Sequence, residues 1–234
     1  MHGWRARIGL IVPSSNTTME CELWSVLPVG VSLHTARMPL VEVNTDALHS
    51  MEEHSAKAAE DLMDAEVDCL LFGCTSGSLI KGAGYNEAMS GEMEARFGVP
   101  FITTSTAITD ALNSMKAKDI SVITPYIDEV NEKERRFLEE CGFSVLSIEG
   151  MGIERNTSIG RITPEEVYRF ASEHAVGDCL FISCTNLRTF EIIGALEDDL
   201  GIPVVTSNQA SLWLALKSAG IRDRIESLGR LFAP

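Results

Sequence analysis

Short apolar runs alternate with longer amphipathic stretches along the whole chain. Runs rich in Val, Ile and Leu fall at 8–12, 31–36, 67–72, 101–104, 119–124, 143–148, 178–183 and 203–206. They are short and almost wholly apolar, the pattern of strands buried on both faces. The intervening stretches 18–26, 45–65, 84–96, 105–117, 127–141, 164–174, 189–199 and 207–218 predict helices. One start is explicit: Thr163 can cap, Pro164 suits the first helical position, and Glu166 completes a capping box. Regular strand–helix alternation predicts an α/β fold with parallel sheets.

The pattern also repeats. Asp68-Cys69-Leu70-Leu71-Phe72-Gly73-Cys74-Thr75 returns as Asp178-Cys179-Leu180-Phe181-Ile182-Ser183-Cys184-Thr185. Ile8-Gly9-Leu10-Ile11-Val12-Pro13 is echoed by Ile120-Ser121-Val122-Ile123-Thr124-Pro125, and Phe97-Gly98-Val99-Pro100 by Leu200-Gly201-Ile202-Pro203. Three matches in the same order predict two related halves joined near 105–118, a duplicated domain rather than a solenoid.

Composition narrows the function. The 234 residues suffice for sizeable cores, and 45% hydrophobic content is ordinary for a folded enzyme. A formal charge of −15 argues against nucleic-acid binding and against docking to an anionic membrane. No apolar run approaches the roughly 20 residues of a membrane span. The run 8–12 is too short for a signal-peptide core and ends in Pro13 without a small-residue cleavage site, so a cytoplasmic protein is expected. Six cysteines in such a chain are not a disulfide scaffold.

Ligands of open parallel sheets bind beyond the carboxyl ends of the strands. The loops there are Pro13-Ser14-Ser15-Asn16-Thr17-Thr18, Gly73-Cys74-Thr75-Ser76-Gly77-Ser78, Thr124-Pro125-Tyr126 and Ser183-Cys184-Thr185-Asn186. All four are small and polar, and all lead towards helix N-termini, which favour anions. Cys74 and Cys184 hold the same place in the two halves. Facing each other across a cleft, two thiols suit chemistry on a planar carbon: one attacks or takes a proton on one face, the other moves a proton on the opposite face. A helix N-terminus is expected to lower a thiol from its usual 8.5 or so into the working range. Cys69 and Cys179 lie five residues earlier, on the opposite strand face, and are expected to be packing residues. Cys21 and Cys141 sit in or at the end of predicted helices and look structural. His49 and His54 do not share a helix face, the other histidines are isolated, and no zinc spacing, dinucleotide fingerprint or Walker loop is present. No metal and no cofactor is expected.

The Ile8–Glu20 segment with its Pro-Ser-Ser-Asn-Thr-Thr-Met-Glu run, together with Gly73–Ser78 and Ser183–Asn186, resembles the aspartate/glutamate racemase superfamily. Within it the chain is most similar to the maleate cis–trans isomerase branch, and the likeness runs over nearly the whole length. The resemblance implies two pseudo-symmetric Rossmann-like lobes, each a four-stranded mainly parallel sheet flanked by helices, with a cofactor-free active site in the cleft between them. It also implies that the helix after the fourth strand crosses to the other lobe. The corresponding boundaries are 1–104 plus 208–234 for the first lobe and 105–207 for the second. It implies Cys74 as the nucleophile that adds to the double bond of maleate, Cys184 as the acid/base on the neighbouring carbon, and Asn16, Tyr126 and Asn156 as carboxylate-binding residues. Backbone N–H groups after the two cysteines, with Ser14, Ser15, Thr75 and Thr185, can supply further donors to a small dicarboxylate. Each of those side chains, like Asn16, can equally serve as a helix cap or turn residue. Relatives commonly assemble as homodimers or higher homo-oligomers. The stretch 77–84 is the expected loop to close over the cleft.

Other readings remain open at this level. A racemase or epimerase of amino acids or hydantoins would exchange a proton between the same thiols without an adduct. An arylmalonate-type decarboxylase resembles this chain but has glycine where Cys74 stands. A two-lobed binding protein shares the architecture without needing twin cysteines.

Overall fold

The structure, a computed structural model, describes residues 2–40, 51–79 and 82–233. Eight strands appear where the apolar runs predict them. The first sheet contains β1 (Ala6–Pro13), β2 (Val31–Met38), β3 (Cys69–Phe72) and β4 (Phe101–Thr103) in the order β2-β1-β3-β4. The second contains β5 (Asp119–Thr124), β6 (Ser144–Gly150), β7 (Cys179–Ile182) and β8 (Val204–Thr206) in the order β6-β5-β7-β8. Every pairing is parallel. The repeat extends to register: Ile8 pairs with Cys69 as Ile120 pairs with Cys179, and Leu70 with Phe101 as Leu180 with Val204.

The helices are α1 (Met19–Val26), α2 (Met51–Met63), α3 (Thr75–Leu79), α4 (Ala83–Phe97), α5 (Thr104–Ser114), α6 (Asp128–Glu140), α7 (Asn156–Ile159), α8 (Pro164–His174), α9 (Ile193–Leu200) and α10 (Ser207–Ser218). The expected capping box at Thr163 and Glu166 is present. Two expectations change and one is not tested. Positions 45–50 of the predicted 45–65 helix lie outside the described residues. The stretch 77–84 is not an independent loop: 77–79 belong to α3 and 83–84 to α4, while 80–81 are not described. Residues 189–192 are not helical, because the backbone N–H groups of Thr189 and Phe190 are drawn to the Glu22 carboxylate. Among the described residues no helix is long and apolar enough to cross a membrane.

Strand alternation divides the first half's interior. Ile8, Leu10, Val12, Cys69 and Leu71 share a core with the second half, whereas Ile11, Leu70 and Phe72 pack with α2 and α4 in a separate outer cluster. Helix α10 closes the shared core. It is buried along most of its length, its Ala215 carbonyl lies 3.8 Å from Cys69 Sγ, and Ser211 reaches Thr104 at the start of α5. The chain after it pairs Asp223 with Arg5 beside β1, at 2.9 Å and 2.5 Å. The stretch 208–234 therefore divides. Its helix and Asp223 face the first half, but 226–232 return to the second, where Gln209 Nε2 donates to the Leu228 carbonyl and Glu197 accepts from Arg230 N.

Glu22 of α1 ties the halves together. Its carboxylate accepts from Thr189 N at 2.5 Å, Phe190 N at 2.9 Å and Asn208 Nδ2 at 2.7 Å. Burial outweighs these bonds and pushes the carboxyl up to about 7. Between its usual value near 4.5 and about 7, the native state then holds a proton that the unfolded chain lacks. Stability from this group is full below that window and falls as pH rises through it. Glu22→Ala, which strands three donors, is expected to cost about 3 kcal/mol in urea unfolding at pH 5. The gap to the parent should narrow by pH 8, where the parent has lost the protonated form.

Candidate active site

The four strand-end loops converge on one small cavity. It is lined by Pro13 at the end of β1, Asn16 after it, Cys74 and Ser76 after β3, Tyr126 after β5, Cys184 and Thr185 after β7, and by Asn156 and Leu40. The space left for the centre of a water-sized sphere is only about 10 Å³, room for a single water. A dicarboxylate can enter only if these walls part. Larger hollows lie on the surface, one of about 550 Å³ beside Cys21 and Arg188 and one of about 300 Å³ beside Trp213, but neither brings two nucleophiles together.

Each thiol is positioned differently. Cys74 immediately precedes α3, and its carbonyl accepts the Ser78 N–H that opens the helix. Its sulfur receives the Gly77 N–H and lies 3.9 Å from Ser76 Oγ. Cys184 has φ 111°, a left-handed conformation that non-glycine residues rarely adopt. Its N–H donates to Ser207 Oγ at 3.0 Å, and its sulfur accepts from Asn186 N at 3.3 Å. Ser207 Oγ also accepts from Thr75 Oγ1 at 3.1 Å, so one hydroxyl at the start of α10 fixes both cysteine loops.

The amide side chains are partly committed elsewhere. Asn16 Oδ1 accepts from Thr18 N and Met19 N, both at 3.0 Å, which caps α1, while Nδ2 donates to Thr185 Oγ1 at 3.0 Å. The cap and the site role are thus compatible, since the second N–H of the amide remains for the cavity. Asn156 Nδ2 donates to Ser15 Oγ at 2.8 Å, and Asn186 Nδ2 donates to the Asn156 carbonyl at 2.7 Å. Gly160 allows this closeness: a Cβ there would lie 2.3 Å from Thr17 Oγ1 and 3.2 Å from Asn186 Oδ1.

Ser14, Ser15 and Thr75 do not line the cavity. Ser14 and Ser15 bond to the Leu40 backbone, and Thr75 bonds to Ser207, so they support the walls rather than form them. Leu40, Ser76 and Pro13 do line it and were not singled out by sequence. Leu40 and Pro13 carry no reactive group, and nothing in its loop's sequence sets Ser76 apart from the neighbouring hydroxyl residues. Cys69 and Cys179 are buried in strands, and burial pushes both up to about 12. Cys141 is half-buried beside Thr109, while Cys21 is exposed. His34 pairs with Ser32 and His174 with the Phe170 carbonyl, and neither lines the cavity, while His49 lies outside the described residues. Among the described residues no cluster could hold a metal ion.

Electrostatics correct one expectation. The helix start does not lower the thiols. Burial pushes Cys74 up to about 11 against the Gly77 N–H and Ser76 hydroxyl, and Cys184 up to about 12 against Tyr126 and the Asn186 N–H. Burial and the neighbouring Cys184 and Glu134 hold the Tyr126 hydroxyl well above its ordinary value. Among the described residues no lysine or arginine lines the cavity. Burial thus raises both thiols, among uncharged lining donors.

The chain is similar to proteins of known activity. A family model described as Arylmalonate decarboxylase matches residues 8–232. The chain is 28% identical to a maleate isomerase of Geobacillus stearothermophilus, over 97% of each chain. It is 33% identical to an arylmalonate decarboxylase of Bordetella bronchiseptica, over 96% of this chain and 95% of that one. Among solved structures, a Nocardia farcinica maleate cis–trans isomerase matches with a TM-score of 0.91 at 26% identity, covering 97% of this chain and 98% of that one. It is a cysteine-to-serine mutant carrying a covalently bound succinylcysteine intermediate.

The backbone at Cys184 carries a testable cost. Cys184→Ala and Cys184→Gly both remove the thiol, but only glycine adopts φ 111° without strain. The glycine variant is expected to exceed the alanine variant by about 1 kcal/mol in urea unfolding. Equal stabilities would show the conformation to be unstrained.

Proposed function

The chain belongs to the arylmalonate decarboxylase family, and from that premise we propose that it is an isomerase converting maleate to fumarate through a covalent adduct on Cys74. The observation that carries this reading is the placement of Cys74 and Cys184 on one closed cavity with Asn16, Tyr126 and Asn156. The succinylcysteine intermediate of the Nocardia farcinica isomerase supports it from outside.

In the proposed reaction the Cys74 thiolate adds to one carbon of the double bond. The electron pair moves to the neighbouring carbon, which takes the proton of the Cys184 thiol. The product is a succinyl thioether with a single bond at its centre. Rotation about that bond brings the carboxylates trans. The Cys184 thiolate then removes the proton it gave, the C–S bond breaks, and fumarate leaves with Cys74 again a thiolate. Every atom returns to its start, so no cofactor enters the balance.

Asn16, Tyr126, Asn156 and Thr185 supply the hydrogen bonds that hold the carboxylates. Because these donors are uncharged, the cavity offers orientation more than charge neutralisation. Thiolate and dianion repel, so closure is needed to hold them together. Ser14, Ser15 and Thr75 act one step back, through Leu40 and Ser207. Solution as a homodimer or higher homo-oligomer, and a cytoplasmic location, belong to the same reading.

The competing reading is a two-thiol racemase. A covalent adduct separates the two, because racemisation by proton exchange needs none. Incubation of the reduced protein with maleate alone is expected to produce the fumarate singlet in proton NMR. Cys74→Ser should lower turnover about 10³-fold or more. Cys184→Ser should accumulate protein heavier by one maleic acid, mapped to Cys74. Folded protein that makes no fumarate would overturn the proposal, and solvent deuterium entering amino acids or hydantoins would then favour the racemase.

A further inference from the structure

Helix α6 carries a carboxyl into the interior. Its buried face consists of Val130, Asn131, Glu134, Phe137 and Leu138, one stripe at helical spacing on which the glutamate is the exception. Glu134 is only 1% exposed. Asn131, one turn earlier, is accounted for: its Oδ1 accepts from Thr124 Oγ1 at 2.6 Å, and Thr124 Oγ1 in turn accepts from Tyr126 N at 3.0 Å. Glu134 is not. Neither carboxyl oxygen makes a hydrogen bond of normal geometry, nor does Ser183 Oγ, the hydroxyl that faces it. Ser183 is the residue before Cys184. The elements packed most closely on α6 are α3, which follows Cys74 and carries no charged side chain, and β6, whose one charged residue, Glu149, is exposed. The titratable groups that feel Glu134 are Tyr126 and Cys184, and Tyr126 also feels Cys74.

A glutamine or leucine would fill this place without burying an ionisable group, and a buried carboxyl without a cation is costly. We propose that Glu134 is the third ionising member of the two-thiol site: while both thiols are protonated it carries the site's one negative charge, and it takes up the proton that a thiol loses on becoming the nucleophile. One S–H bond breaks, one O–H bond forms, and the charge passes from carboxylate oxygen to sulfur. The hydroxyls available to pass the proton are Ser183 and Tyr126. Burial raises the carboxyl to about 7, so it changes charge in the neutral range.

This rests on the two-thiol reading above only in taking a thiolate as the reactive species, whatever the substrate. The three groups titrate as one coupled unit. A thiolate beside protonated Glu134 is tolerated, but a second negative charge in the same closed site is not. Thiolate content therefore rises with pH until Glu134 ionises and then levels off. With a neutral residue at 134 the rise continues towards the thiol's own high value.

The test is alkylation of Cys74 by iodoacetamide from pH 6 to 9.5, quantified by peptide mass mapping, with folding checked by thermal melting. The parent rate constant should level off above about pH 7, whereas Glu134→Gln and Glu134→Leu should keep rising and exceed the parent at least about tenfold by pH 9. Glu134→Asp, which retains the charge, should restore the levelling. Identical profiles in the parent and a neutral variant would overturn the inference. So would an aspartate variant that rises without levelling, a result available even if both neutral variants failed to fold. Maleate turnover in the same samples separates the two proposals: levelling without fumarate formation sinks the substrate reading alone, and fumarate formation without levelling sinks this one alone.

Discussion

Polar groups at the carboxyl ends of two parallel sheets must find hydrogen-bond partners once they are buried, and here each half finds them in the other. Asn16 donates to Thr185, Thr17 N to Asn186, and Asn156 to Ser15. Thr18 donates to the Asn186 carbonyl, and Ser207 accepts from both the Cys184 N–H and Thr75. A buried donor left alone costs about 1–3 kcal/mol. These bonds join the halves at the site, as the Glu22 contacts and the shared apolar core join them elsewhere, and some of them also hold the cysteine loops. The near-absence of free space follows from this. Groups chosen to satisfy one another leave little room until a ligand replaces some of their partners.

The same bonds set the electrostatics. A site made of hydroxyls, amides and thiols is buried among uncharged groups. Burial raises every acid in it: Cys74, Cys184, Tyr126 and, on the helix behind, Glu134. Arg37 donates to the Asn16 and Ser14 carbonyls and pairs with Glu20 beside the first loop. Among the described residues positive charge thus steadies the wall but does not line the cavity. A thiolate in such a place is scarce and, for want of hydration, reactive.

The architecture was legible because burial leaves a plain trace. Strands covered on both faces read as apolar runs, and the duplicated Asp-Cys and Cys-Thr segments exposed the two halves before any contact was known. The rule about where parallel sheets place their ligands picks out the loops that hold the two cysteines, Asn16, Tyr126 and Thr185; the binding roles of Asn16 and Tyr126 came from resemblance, and Asn156 from resemblance alone. What escaped notice had no local signature. α3 is a five-residue Thr-Ser-Gly-Ser-Leu segment whose composition says turn, yet the Ser78 and Asn86 hydrogen bonds wind it into a helix. Leu40 lies far from the loops in sequence and reaches the site only because the backbone after β2 is bound by Ser14 and Ser15. The direction of the thiol shifts also escaped, since a helix N-terminus can be seen in sequence but complete burial cannot.

Duplication produces equivalent positions, and chemistry needs inequivalent ones. After Cys74 the chain reads Thr-Ser-Gly-Ser and winds at once into a helix, so the sulfur meets the inward N–H of Gly77 and the Ser76 hydroxyl. After Cys184 it reads Thr-Asn-Leu, no helix begins until Ile193, and the residue itself takes a left-handed turn pinned by Ser207. One sulfur thus sits at a helix start, between the Gly77 N–H and the Ser76 hydroxyl. The other sits on a strained turn beside a tyrosine, with Glu134 behind it. Such unlike surroundings are what the proposed division of bond-making and proton-moving between Cys74 and Cys184 requires. They arise between halves that share one strand order, with a register that departs only where β5–β6 shifts between Ile120 and Ser121.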